Sequence, residues 1–127
     1  MKPYSRLVAA LTVVALTATS ARTPAHHSFA MFDRTKEVTI VGEVKTWQFT
    51  NPHAYLQVMA PYGEKQEVRE WTLEANGPSI LLRKGLRPGT FKAGDKVTVI
   101  LYPLRNGAAG GELVSVTMST GKKHQVF

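Results

Sequence analysis

The stretch Lys36–Thr50, KEVTIVGEVKTWQFT, decides the fold. Val38, Ile40 and Val44 fall on one face of an extended chain, and Trp47 and Phe49 fall on the other. Successive side chains of a strand point to opposite sides, so the apolar face changes side within this segment. Gly42 lies between the two halves, where a bulge or sharp coil would make the switch. A long strand bent in its middle suits a small closing sheet, because each half can pair with a different neighbour.

Working outward, Asn51-Pro52 breaks the run. A second strand is expected over 53–60, with Ala54, Leu56 and Val58 alternating against His53, Tyr55 and Gln57. Pro61-Tyr62-Gly63 turns the chain into a third strand over 66–74, with Trp71 and Leu73 inward. The period then changes. Asn76-Gly77-Pro78 reads as a helix start, with a capping residue and a proline near the first turn. The helix covers 79–84, presents Ile80 and Leu81 inward, and stops at Gly85. Val97, Val99 and Leu101 mark a fourth strand over 96–102. Gly107–Gly111, GAAGG, reads as a flexible turn, 112–119 as a fifth strand and 121–127 as a polar tail in which His124 is solvated. Three strands, a short helix and two strands, with a bent first strand, predict an all-β chain of the OB type, a five-stranded barrel with one short helix between strands three and four.

The 127 residues allow one small domain, and the first segment does not belong to it. Lys2 and Arg6 precede an uncharged run from Leu7 to Ala18, and small residues follow. That order is the pattern of a secretory signal peptide, and the run is shorter than the roughly 20 residues that span a bilayer. Removal is compatible with a cut after Ala21 or after Ala25. The second gives residues 1–25 as signal peptide and 26–127 as the domain, with an N-terminal arm over 26–36 that Phe29, Met31 and Phe32 can dock. The expected location is periplasmic or secreted. There is no cysteine, so an exported domain of this size must hold together through its core or a bound partner.

The chain carries a formal charge of +7, of which Lys2, Arg6 and Arg22 lie in the leader. The remaining 13 basic residues face nine acidic ones and alternate with them, as in Glu64-Lys65-Gln66-Glu67. This is a solvated surface rather than a nucleic-acid footprint. No nucleic acid is therefore expected; the short leader run implies no stable membrane span after processing, and a closed barrel with few free edges implies a monomer.

Five phrases stand in order: AHHSFAMFD, GEVKTWQFTNPHAYLQV, WTLEANGPSILLRKG, KAGDKVTVILYPLRNG and ELVSVTMSTGK. Together they resemble a family of small exported bacterial proteins classed as a domain of unknown function, over essentially the whole mature chain. Ala93 stands where the family usually has proline, in a loop. The resemblance implies export and a cut near Ala25. It implies no activity.

If the cut follows Ala25, His26 offers both its terminal amine and a ring nitrogen to one metal, His27 adds a second ring and His53 a third. A nitrogen-rich set suits Cu(II), which also leads the divalent series. The terminal amine, with a pKa near 8, loses its proton at modest cost when a metal competes. Glu74 or Met31 could add an oxygen or a sulfur. The competing reading is a metal-free module that takes a small ligand, a glycan or an envelope protein on an aromatic face built from Trp47, Tyr55 and Trp71. Catalysis is not expected: there is no cysteine, and no serine stands in a nucleophile-elbow pattern.

Overall fold

In the computed structural model, residues 29–127 are described; the leader, the cut, His26 and His27 lie outside them. A short 3₁₀ turn, Phe29–Met31, is followed by β1 (Val38–Gln48), β2 (Tyr55–Tyr62), β3 (Glu67–Glu74), α1 (Pro78–Arg83), β4 (Lys96–Pro103), β5 (Gly110–Met118) and β6 (Lys123–Gln125). The strand order is β3-β2-β1-β4-β5-β6, and a further β3–β5 pairing closes five strands into a barrel. The closing pair is parallel, Thr72–Glu74 against Gly110–Glu112, and every other pair is antiparallel. This is the expected OB-type barrel, with the helix between the third and fourth strands.

The long first strand divides its pairing as anticipated. Val38–Glu43 pair with β4, and Glu43–Gln48 pair with β2. The bulge, however, falls between Val44 and Thr46, not at Gly42. One extra residue there flips the parity, so that Ile40 and Val44 before it and Trp47 and Phe49 after it all pack on the core. Gly42 has a different reason to be glycine. An added Cβ would run into the carbonyl of Met59 and lie 2.8 Å from the Cβ of Ala60, because β2 crosses closely where β1 changes partner.

The interior is filled by alternating residues: Leu56 and Val58 on β2, Leu73 on β3, Val99 and Leu101 on β4, Leu113 and Val116 on β5, all fully buried. Each such side chain contributes about 1.5–3 kcal/mol relative to exposure. Leu81 of α1 enters this core, whereas Ile80 lies outside it, exposed. The helix is entered through Gly77 as the capping residue, without a side-chain cap. Asn76 instead donates its Nδ2–H to the carbonyl of Val126 at 3.0 Å, tying the helix entrance to the C-terminus.

Two further expectations are corrected at the C-terminal end. Gly110 and Gly111 belong to β5, where the parallel pairing with β3 brings strand backbones close; an added Cβ at Gly110 would lie 2.8 Å from the Thr72 carbonyl. The segment after Gly121 is no free tail, since Lys123–Gln125 pair with Ser115–Thr117 and Val126 is fully buried. His124 is accordingly half-buried, edge-on to Phe91 with centroids 5.3 Å apart.

Candidate functional site

The sequence places His53 immediately after Asn51-Pro52, and the fold anchors that corner. Ala54 N–H donates to the Asn76 carbonyl at 3.2 Å and Ala75 N–H to the Ala54 carbonyl at 2.8 Å, so the entry to β2 is stitched to the exit of β3. His53 and Glu74 thereby become neighbours, and the ring Nδ1 hydrogen-bonds Glu74 Oε1. The His53 side chain is 32% exposed and that of Glu74 15%. A carboxylate on Nδ1 fixes the ring's orientation and tautomer and leaves Nε2 for another partner. The same arrangement orients histidines that bind metals.

Glu74 belongs to a row across the outer surface of the barrel. Tyr55 is its register partner on β2, Glu112 its partner on β5, and Tyr102 stands opposite Glu112 on β4. Alternation sends Leu56, Leu73, Leu101 and Leu113 inward and leaves these four polar side chains outside the barrel. Burial, and secondarily the Glu74 carboxylate, hold the Tyr55 hydroxyl above its ordinary pKa, so it stays protonated.

The N-terminal arm is a strap across this row. Phe32 is buried and bridges to Leu104, Asp33 N–H donates to the Pro103 carbonyl at 2.8 Å, and Arg105 N–H donates to the Met31 carbonyl at 2.9 Å. Arg34 forks the Glu112 carboxylate through Nε at 2.7 Å and Nη2 at 2.5 Å. Phe29 lies under the guanidinium, 4.6 Å from ring centroid to Cζ. Met31, Phe32, Tyr55, Thr72, Glu74 and Leu104 line a small cavity of about 190 Å³ between strap and barrel. The docking role anticipated for Phe32 is thus met, whereas Phe29 and Met31 stay exposed, Phe29 stacking on Arg34 of the arm itself. Arg34 and Glu112, which hold the strap, were not anticipated. The available signal was a lone carboxylate within the otherwise uncharged strand Gly110–Met118.

The three candidate aromatic residues do not form one platform. Tyr55 faces outward beside Glu74. Trp71 points into the core, 6% exposed, edge-on to Tyr62, with its Nε1–H buried and unpaired. Trp47 closes another end of the barrel, donating Nε1–H to the Arg87 carbonyl at 2.9 Å and packing edge-on against Phe49 and Phe91. Among the described residues, no three His, Asp or Glu side chains converge as a metal-holding group. Among the same residues, no helix is long and apolar enough to cross a membrane.

The sequence profile of a family of unknown function (DUF6152) matches residues 13–114. The chain belongs to this family. The DUF6152 match runs from the expected leader through the strap, the His53 corner and the closing β3–β5 pairing. No curated protein and no solved structure matches the chain.

Proposed function

We propose that this is an exported, non-catalytic protein that binds Cu(II) through His26, His27 and His53, with residue 26 as its mature N-terminus. The observation that carries this reading is the His53–Glu74 pair, whose Glu74 end lines the cavity under the docked strap. The carboxylate occupies Nδ1, and Nε2 is left for a ligand.

Chain length also supports it. Phe29 lies against Arg34, which is bonded to Glu112, the register neighbour of Glu74. Adjacent strands are about 4.8 Å apart. His27 precedes Phe29 by two residues, a reach of up to about 7 Å, and His26 by three, up to about 10 Å. That reach is compatible with His26 and His27 joining His53 in one ligand set.

The runner-up is a metal-free module that binds a small ligand, a glycan or an envelope protein through an aromatic face. It is less well supported, because Trp71 is buried in the core and Trp47 and Tyr55 lie apart.

The deciding experiment is Cu(II) titration of protein processed to begin at His26. Wild type is expected to bind one equivalent, and His26→Ala and His53→Ala are each expected to weaken binding at least tenfold. Equal affinity in all three proteins rules the site out. A secreted form beginning at Arg22 removes the terminal chelate and overturns the proposal in this form.

A further inference from the structure

The charges of the described residues are segregated. All nine carboxylates lie within 29–75 and 95–112. The segments 76–94 and 113–127 contain Arg83, Lys84, Arg87, Lys92, Lys122 and Lys123 and no acid. All six are exposed, and none of them is in an ion pair among the described residues. By contrast, Lys36, Lys45, Arg69 and Lys96 on the remaining surface each have a carboxylate partner, with Lys65 the exception.

The fold joins the two basic segments. Phe91 packs edge-on to His124, and Asn76 bonds the Val126 carbonyl, so the α1–β4 loop and β6 share one face. There Lys84, Gly85, Lys122, Lys123, His124 and Gln125 line an open cleft of about 370 Å³. Gathering three ammonium groups around one cleft, with every Asp and Glu side chain elsewhere in sequence, costs mutual repulsion that a bound anion would relieve.

We infer that this cleft binds a phosphate group, with Lys84, Lys122 and Lys123 neutralising it and the His124 ring beside them. A phosphomonoester carries about −1.5 to −2 charge near pH 7, which three ammonium groups match better than they match a single carboxylate. Lysine binds such a group as a point charge, without the planar fork that arginine would impose. The cleft lies across the molecule's helix-and-β6 face and uses none of the residues assigned to copper, so either site can fail without the other.

The test compares three proteins. One is wild type, one is Lys122→Gln/Lys123→Gln, and one is Lys36→Gln/Lys65→Gln, which loses the same charge from the other surface. Each is titrated calorimetrically with inorganic phosphate at constant ionic strength set by chloride, and each is mixed with phosphatidylglycerol and phosphatidylcholine vesicles. Wild type and the Lys36/Lys65 variant are expected to bind phosphate alike, and the Lys122/Lys123 variant at least tenfold more weakly, with unchanged circular dichroism. Binding to phosphatidylglycerol vesicles alone, lost in the same cleft variant, places the phosphate on a lipid headgroup and supports the inference. Equal loss in both variants, a response that chloride reproduces, or no response to phosphate or phosphatidylglycerol overturns it.

Discussion

Arg34 closes a bidentate ion pair on Glu112, a carboxylate only 1% exposed, across 78 residues of sequence. Taking a carboxylate out of water is unfavourable unless its charge and lone pairs are met, and here one guanidinium meets both oxygens. Arg34→Met leaves the carboxylate buried and unpaired. The expected cost is about 2–3 kcal/mol, at the low end for breaking such pairs because the Arg34 side chain is itself half exposed. Urea denaturation should show this as a lowered midpoint with little change in slope. Glu112→Gln in the Arg34→Met background should recover part of the loss, because it removes the orphaned charge.

Gly42 and Gly89 should respond oppositely to alanine. At Gly42 the new methyl meets the Met59 carbonyl and the Ala60 side chain, neither of which can move without shifting β2. Overpacking of this kind costs about 1–3 kcal/mol, and backbone contact puts Gly42→Ala at the upper end. At Gly89 nothing lies within 4 Å of the added Cβ and φ is not positive. Gly89→Ala should be neutral or stabilising by up to about 1 kcal/mol through the unfolded chain. Thermal melts of the two variants side by side check the contrast.

Much of the barrel was legible because period-two alternation is a direct imprint of burial. Leu56/Val58, Trp71/Leu73 and Val97/Val99/Leu101 all read correctly. What alternation does not carry is where a parity change occurs: Gly42 looked like the bulge, but the shift lies between Val44 and Thr46. Nor does it reveal β6, whose three residues Lys123–Gln125 are polar and take their strand conformation from pairing with β5. The candidate site was legible in part. His53 was singled out by type and position and Glu74 was a secondary candidate; the partnership of Arg34 with Glu112 depends on chain closure that no local pattern encodes.

Glu74 should tune the proposed copper site through His53. Loss of a carboxylate that orients a ligating histidine typically costs 10–100-fold in metal affinity. Glu74→Ala should fall in that range in Cu(II) competition assays, and Glu74→Gln, whose amide oxygen can still accept from Nδ1–H, should lose less. Both proteins should keep wild-type circular dichroism. Unchanged affinity in Glu74→Ala would detach Glu74 from the site.

His124 predicts a pH dependence. Burial, reinforced by the nearby Lys122 charge, holds its imidazolium below the ordinary value of 6.5. Near and below pH 6.5 the unfolded chain therefore binds more protons at this residue than the folded one does. Stability is fully present above that pH, falls as pH drops through it, and levels off once the folded-state imidazole is also protonated. His124→Gln should flatten the stability profile as pH falls through about 6.5. Denaturation midpoints at half-unit pH steps give the comparison, and parallel curves for the two proteins would contradict the assignment.

Trp71 carries the opposite kind of burial penalty, a donor with no acceptor. Its Nε1–H is sequestered without a partner while the ring packs against Tyr62. An unsatisfied buried donor costs about 1–3 kcal/mol, comparable to what the extra indole surface contributes. Trp71→Phe should therefore change stability by less than about 1 kcal/mol, whereas truncating the neighbouring core residue in Leu73→Ala should cost about 2–5 kcal/mol. A large loss in Trp71→Phe would mean that the indole's packing outweighs its orphaned N–H. The same variant leaves Trp47 as the only tryptophan, so its fluorescence would report on the barrel end where Trp47, Phe49 and Phe91 meet.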